Sequence, residues 1–125
     1  MTINHKVITV NSALYLVAGN DEIVMVDVAQ PATVVLPSDD AGKSKNRVLY
    51  IKDYSGLAQT NPITITSAGG KTIDGVSSVT LDNGYAYIQV VYDGTNWKII
   101  SQSCKCVTNN KKKKLKDYFK IFSAS

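Results

Sequence analysis

The chain contains few of the side chains on which catalytic and metal sites depend. Its 125 residues include one histidine, two cysteines, one tryptophan and three prolines. The sole histidine, His5, lies in a terminal segment with no cysteine or serine motif around it, so no histidine-dependent triad is predicted. One histidine also cannot complete a zinc site by itself. No apolar run is long enough to cross a bilayer as a helix, which excludes a helical membrane span. His5 is therefore interpreted as an exposed or strand-edge side chain.

The cysteines are too close together in the sequence to form an ordinary structural pair. Cys104 and Cys106 are separated by one residue, and a disulfide over that spacing is strained because the side chains of a strand alternate between faces. Two reduced, half-buried thiols are the favoured interpretation. An intermolecular disulfide stays open, and a zinc site would need further ligands that the sequence does not place nearby.

Length and composition are those of a single globular domain. The apolar fraction is 44% and the charged fraction is 19%, which is ordinary for a folded protein and unlike a disordered chain. The first residues lack the basic region and the long apolar run of a signal peptide. The expectation is therefore a protein made in the cytosol.

Charge divides the chain into two parts. Residues 1–103 carry a net charge of −2, whereas residues 104–125 carry +6, which together give the overall +4. This asymmetry predicts a mildly acidic domain over 1–103 and a basic tail over 104–125.

Period-two alternation of β-branched and aromatic residues predicts an all-β domain. Pro31 and Pro37 bracket one of the strands, which is therefore expected at a sheet edge. Many short strands with Gly, Asp and Asn turns favour a compact antiparallel β-sandwich of jelly-roll type. The predicted strands are Val7–Val10, Leu14–Val17, Ile23–Val28, Thr33–Leu36, Arg47–Asp53, Ile63–Thr66, Thr72–Ile73, Val79–Leu81, Tyr85–Tyr92 and Trp97–Ser101.

The last two predicted strands form a hairpin with one aromatic face. Alternation places Ala86, Ile88 and Val90 on one side of the first strand. Tyr85, Tyr87, Gln89 and Val91 lie on the other side. An oligomer face or a ligand face is therefore predicted, because aromatic side chains are enriched at both kinds of surface. For the tryptophan, a core position in the hairpin is the favoured alternative. The predicted face residues are Tyr85, Tyr87 and Trp97.

The acidic residues of the domain do not form a catalytic pattern. Asp74, Asp82 and Asp93 each lie in an Asp-Gly or Asp-Asn-Gly turn, where hydrogen bonds to the backbone explain them. Paired carboxylates for glycoside hydrolysis and calcium ligation are the alternatives, and neither has a supporting spacing. The sequence Gly69-Gly70-Lys71-Thr72 lacks the rest of a phosphate-binding loop. No catalytic residue, cofactor or metal ligand is predicted.

The tail has the pattern of a basic amphipathic helix. Four apolar residues follow the spacing i, i+3, i+4, i+7 behind a run of four lysines. The predicted anchor residues are Leu115, Tyr118, Phe119 and Phe122, and the predicted contacts to an anionic surface are Lys111, Lys112, Lys113 and Lys114. A groove of another protein, a membrane surface and nucleic acid are the open alternatives for the partner.

The order of short motifs resembles a fibre-type β module. About 80 residues are covered, and the segment Ile23–Leu36 is similar to the opening of that module. The motifs are Leu36-Pro37, Tyr50-Ile51-Lys52-Asp53, Ser55-Gly56, Asn61-Pro62-Ile63-Thr64-Ile65-Thr66, Gly69-Gly70, Thr72-Ile73-Asp74-Gly75, Leu81 and Asp93-Gly94-Thr95-Asn96-Trp97. Together they resemble the module found in phage tail fibres, phage head fibres and virion surface proteins of large DNA viruses.

This resemblance implies a β-rich, trimeric protein displayed on a virus particle. It implies a viral structural protein, either a minor or decoration component of the capsid or a fibre head, with capsid proteins as partners and with the virion as location. A lectin-like module that binds a host-surface glycan is the alternative. The chain departs from the family pattern because it lacks a fibrous shaft and carries the basic tail. Both departures favour a small capsid-associated component, tethered by the tail to a capsid protein, an internal membrane or nucleic acid.

Overall fold

The computed structural model describes residues 5–38 and 45–103 of the chain. These residues form nine strands and one 3₁₀ turn over Ala68–Gly70. The strands are β1 (Val7–Val10), β2 (Leu14–Leu16), β3 (Ile23–Val26), β4 (Ala32–Leu36), β5 (Val48–Asp53), β6 (Ile63–Ser67), β7 (Ser78–Leu81), β8 (Tyr87–Tyr92) and β9 (Trp97–Gln102). The all-β prediction is confirmed for the described residues.

The chain alternates between two sheets as it proceeds. The first sheet has the order β1-β3-β5-β8-β9, and the second sheet has the order β2-β4-β6-β7. Each early strand therefore pairs with the strand two positions later in the chain. One strand in each sheet makes up one winding of the chain, so these pairings join successive windings. Strand β7 runs antiparallel to β6, and β8 runs antiparallel to β5. Strand β9 then runs antiparallel to β8, which completes the two sheets.

The prediction of wholly antiparallel sheets is wrong. Among the described strands, four pairings are parallel and three are antiparallel. Parallel neighbours need a long crossover between them, and here the crossover passes through a strand of the opposite sheet. Alternation of side chains is the same in both kinds of sheet, so the residue pattern did not distinguish them. The jelly-roll part of the prediction, which also assumed antiparallel strands, is not confirmed.

Two local predictions are also corrected. Strand β4 lies between β2 and β6 rather than at an edge, because Pro31 and Pro37 flank the strand and leave its ladder of N–H groups intact. Ile73 forms isolated bridges to Val76 and Trp97 instead of a strand. The predicted hairpin of the last two strands is confirmed as β8 and β9.

The inner faces of both sheets contribute to one hydrophobic core. Trp97 is its largest fully buried side chain, and its ring lies 5.1 Å from that of Tyr92 at an interplanar angle of 53°. The indole Nε1 donates a hydrogen bond to the carbonyl oxygen of Pro37 at 3.2 Å. The buried indole therefore has a polar partner, as a buried tryptophan requires. Trp97 connects β9 of the first sheet to the end of β4 in the second.

A buried polar cluster holds the connection between β2 and β3. The carboxylate of Asp21 accepts hydrogen bonds from the Tyr15 hydroxyl and from the N–H of Ala18, the latter at 2.8 Å. The Arg47 guanidinium donates to the backbone carbonyl of Asp21 at 2.8 Å. Burial, together with the hydrogen bond and charge of Asp21, raises the pKa of Tyr15 to about 12. The cluster therefore satisfies the polar groups of a turn that the core would otherwise leave unpaired.

We expect the replacement Trp97→Ala to destabilise the domain strongly, because it removes the largest core side chain and leaves a cavity. The free energy of unfolding, measured by denaturant titration, should fall by about 3–5 kcal/mol. The neighbouring Lys98 is exposed, so Lys98→Ala is the control and should change the same quantity by less than about 0.5 kcal/mol. Equal effects of the two replacements would contradict the core role of Trp97.

Candidate interaction surface

The outer face of the first sheet carries rows of apolar and aromatic side chains. Ile23 of β3, Tyr50 of β5 and Gln89 of β8 are paired in register across the sheet. In the next row, Met25 and Tyr87 flank Lys52. The inward neighbours of these residues are buried, so strand alternation directs them outward. The outer face is defined here as Ile23, Met25, Val48, Tyr50, Lys52, Tyr87, Gln89 and Val91.

Two shallow clefts run along this outer face. One has a volume of about 340 Å³ and the other about 350 Å³, and both are lined by Ile23 and Tyr50. The second cleft extends over Met25 and Tyr87. Tyr50 is 38% exposed, although it lies at the centre of the sheet. The surface is therefore a continuous apolar groove rather than a set of isolated apolar residues.

A hydrogen bond between His5 and Glu22 borders one end of the groove. The Glu22 carboxylate is 2.9 Å from Nδ1 of His5 and accepts a hydrogen bond from the N–H of Lys6, also at 2.9 Å. These two interactions, with that of His5 the larger, lower the pKa of Glu22. Both side chains are largely exposed. The pair fixes the chain before β1 and defines a polar margin of the groove.

A buried carboxylate organises the other end of the groove. Asp53 is 2% exposed, and its Oδ2 accepts hydrogen bonds from the N–H groups of Ala58 at 3.0 Å and Tyr85 at 2.9 Å. Its Oδ1 accepts from the N–H of Gly56 at 3.2 Å. One carboxylate therefore joins the loop after β5 to the turn before β8. Like a helix cap, it satisfies backbone donors that have no partner within a ladder.

Tyr85 lies at the margin of the outer face, where the turn holds it in an unusual backbone conformation. Its φ is 64°, a left-handed value that non-glycine residues seldom adopt. The ammonium group of Lys52 lies 5.6 Å from the centre of the Tyr85 ring and contacts the backbone carbonyl oxygen of Tyr85. Gly56 lies against the same ring, and a Cβ at that position would overlap it. The ring is therefore exposed but fixed in position.

Two of the three residues of the predicted aromatic face are on the surface, and their role in binding stays a prediction. Tyr87 lies on the outer face, with its hydroxyl 3.3 Å from that of Ser101, and Tyr85 is exposed at the margin. Trp97 does not belong to the face. Its side chain is fully buried, because β9 places Trp97 inward, where only the core accommodates an indole. The alternative of a core tryptophan is the correct one.

The turn carboxylates have structural partners. Oδ1 of Asp93 accepts hydrogen bonds from the N–H groups of Thr95 and Asn96, each at 2.8 Å, and these bonds lower its pKa. Asp74 adopts a φ of 49° and accepts from the N–H of Ile99 at 3.1 Å. The turn interpretation is confirmed for both residues. The buried Oδ1 of Asp82 has no hydrogen-bond partner among the described residues.

Sequence reasoning missed the residues on β3 and β5. Ile23, Met25 and Tyr50 complete the outer face, yet they come from segments far from Tyr87 in the sequence. One signal was present, because Ile23–Val26 is apolar at every position rather than at alternate ones. A strand with two apolar faces is typical of a strand that is covered on both sides.

Several predicted features lie outside the described residues. These are the anchor residues, the lysine run and both cysteines of the segment 104–125. Within 5–38 and 45–103, no group of three or more His, Cys, Asp or Glu residues is placed to hold a metal ion. No helix in this part of the chain is long and apolar enough to cross a membrane.

Comparison with known proteins gives no family for this chain. No protein-family model matches the sequence, and no curated protein matches it.

We expect His5→Ala to raise the pKa of Glu22 toward its ordinary value, because the larger of its two stabilising interactions is removed. A pH titration of the Glu22 side-chain carbon by NMR measures this pKa. Since folding lowers the pKa of Glu22, the stabilisation is present above the unfolded-state pKa and is lost as pH falls through the folded-state pKa. Asp93 is the internal control, since its backbone hydrogen bonds do not involve His5. If the pKa of Glu22 is the same in His5→Ala as in the wild type, the hydrogen bond between His5 and Glu22 is contradicted.

Proposed function

We propose that this chain is a structural protein of a virus particle, which self-associates through the outer face of the first sheet. The observation that carries the proposal is the apolar groove over Ile23, Met25, Tyr50 and Tyr87. Adjacent exposed apolar side chains on one sheet face are a candidate binding surface, because extended apolar patches mark interaction sites. The motif resemblance to virion fibre modules supplies the biological setting.

The chemistry of the face favours association with identical copies. Within the outer face as defined, the charged residue is Lys52, and its ammonium group contacts Tyr85 of its own chain. Lys98 of β9 lies beside Val91 at the margin of this face. Tyrosine and methionine are enriched at the centres of interfaces, whereas charged residues are depleted there. A symmetric oligomer that brings these faces together therefore buries apolar area without placing unpaired like charges in contact. We propose a trimer in which the faces meet around the threefold axis.

The fold proposed for this role is a compact β-sandwich decorated by the tail. The shared core of the two sheets supports the sandwich, and the tail 104–125 is proposed as the tether to another capsid component. Burial of the four apolar side chains of the tail would contribute on the order of 6–12 kcal/mol before ordering costs. The lysine run would contribute much less at physiological salt, because exposed charges are screened.

A lectin-like module that binds a host glycan is the second candidate. It is favoured by the exposed tyrosine rings beside Gln89 and Lys52, since flat rings with neighbouring polar groups suit sugars. The burial of Trp97 counts against it, because the largest ring is removed from the surface. A glycan array with the wild type and Tyr87→Ala separates the two candidates. Loss of a specific glycan signal in the variant would favour the lectin.

We expect Tyr50→Lys to disrupt self-association, because it places a charge in the centre of the proposed interface. Native mass spectrometry at micromolar concentration should give a multiple of three copies for the wild type. The variant should dissociate with a loss of about 2 kcal/mol or more per interface, roughly thirtyfold in Kd. Thr64→Lys is the matched control, because Thr64 lies at the same kind of central strand position on the second sheet. A wild-type monomer would refute the proposal.

We expect truncation after Thr108 to leave the β domain folded and to abolish its incorporation into particles. Circular dichroism measures folding, and the protein content of purified particles measures incorporation. Phe119→Asp should reproduce the loss, whereas Lys112→Gln should retain most of the incorporation, because the apolar contact is the larger contribution. Release of the intact protein by 1 M salt alone would show that charge, rather than apolar contact, provides the tether.

A further inference from the structure

Both sheets end in an edge strand at the same end of the molecule. Strands β1 and β2 form the first winding, and each is the first strand of its sheet. No described residue pairs with either strand on the side away from β3 or β4. An edge strand presents unpaired N–H and C=O groups, which are a template for another strand. The two edges therefore form one composite surface.

The hydrogen bonds at the ends of β2 show which backbone groups are directed outward. The N–H of Thr33 donates to the carbonyl of Ala13, and the N–H of Val17 donates to the carbonyl of Val35. In a parallel pair, both polar groups of a residue point to the same side, and successive residues alternate. The backbone groups of Leu14 and Leu16 therefore point away from β4. The outward carbonyl oxygen of Leu14 accepts a hydrogen bond from the Ser12 hydroxyl at 2.9 Å, which an incoming strand would replace. By the same argument, the backbone groups of Val7 and Thr9 point away from β3.

The composite edge is short, with four residues in β1 and three in β2, and it has no charge, proline or bulge to protect it from association. Strands β1 and β2 have the sequences Val-Ile-Thr-Val and Leu-Tyr-Leu. Leu14 is 59% exposed and Leu16 is 65% exposed, the highest value among the large apolar side chains of the described residues. At the opposite edge of the first sheet, β9 carries Lys98 and a register shift. The two ends of the molecule are therefore not equivalent.

We propose that a second copy of this chain covers the composite edge through a twofold axis normal to the sheets. Such an axis pairs β1 with β1 and β2 with β2 in antiparallel fashion, so both sheets continue into the partner. Centred on Tyr15, it places Leu14 beside the partner's Leu16. The absence of charge in both strands makes this surface compatible with itself. Head-to-tail pairing would instead bring the edge to the polar strand β7 of the next copy and would not close.

The inference goes beyond the proposed function, because it uses a different surface and predicts a larger assembly. In the proposed trimer, three outer faces surround the threefold axis, so this axis runs parallel to the plane of the first sheet. A twofold axis normal to the sheet is therefore perpendicular to that threefold axis. When the two axes intersect they generate a closed assembly of six copies, in which two trimers meet at their β1 and β2 edges.

The test is native mass spectrometry of four forms of the full-length chain. We expect six copies for the wild type, three for Leu16→Lys and two for Tyr50→Lys. Ser78→Lys should retain six copies, because Ser78 lies in the same residue row as Leu16 but on β7, at the opposite edge. Should the outer face not associate, the wild type would be a dimer and Leu16→Lys a monomer, which supports this inference alone. If Leu16→Lys assembles with the same number of copies as the wild type, the inference is overturned. Filaments that Ser78→Lys abolishes would overturn the twofold arrangement.

Amide hydrogen exchange of the wild type keeps the inference testable if Leu16→Lys fails to fold. The N–H groups of Leu14 and Leu16 should exchange slowly in the assembly and at least about tenfold faster in protein diluted until it dissociates. Protection that persists unchanged on dilution would show that the chain covers its own edge and would overturn the inference. Val34, whose strand lies inside the second sheet, is the control and should stay protected in both conditions.

Discussion

The burial of alternate side chains between the two sheets is the constraint on which the rest of the structure depends. Since strand residues alternate, the inward positions of Ile51 and Ile88 direct Tyr50 and Tyr87 outward. The exposed aromatic and apolar outer face is therefore a consequence of the core and not an independent feature. Trp97 also joins the two sheets. Its indole packs in the core, and its N–H donates a hydrogen bond to the carbonyl oxygen of Pro37 at the end of β4.

Buried carboxylates accept the hydrogen bonds of backbone N–H groups in the turns, as carbonyl groups of neighbouring strands do in the sheets. Asp53 accepts hydrogen bonds from backbone N–H groups in two separate loops, and Asp21 joins the turn before β3 to Tyr15. A buried carboxylate is tolerated when several donors satisfy it. These two residues therefore fix loops that border the groove and the first winding. The chain uses acidic residues as structural ligands for its own backbone.

The winding topology separates the two surfaces that are proposed for association. Among the described strands, passing each strand to the opposite sheet leaves edges at the first and last windings, so β1 and β2 share one end. The outer faces, in contrast, extend across every winding of a sheet. A face buries side chains and an edge pairs backbone groups, so the two surfaces differ in chemistry and in direction. The two proposed contacts between copies therefore lie along perpendicular directions.

The strand positions and the turn chemistry were determined by the sequence itself. Period-two patterning located β1 to β9 to within a few residues, and the Asp-Gly turns identified Asp74 and Asp93 as structural residues, because both signals act over a few neighbouring positions. Strand partners were not determined in this way, since the same alternation fits parallel and antiparallel neighbours. Only the tertiary structure decided that consecutive strands enter different sheets. That decision assembled Ile23, Tyr50 and Tyr87 into one surface and enclosed Trp97, because burial depends on contacts between residues distant in sequence.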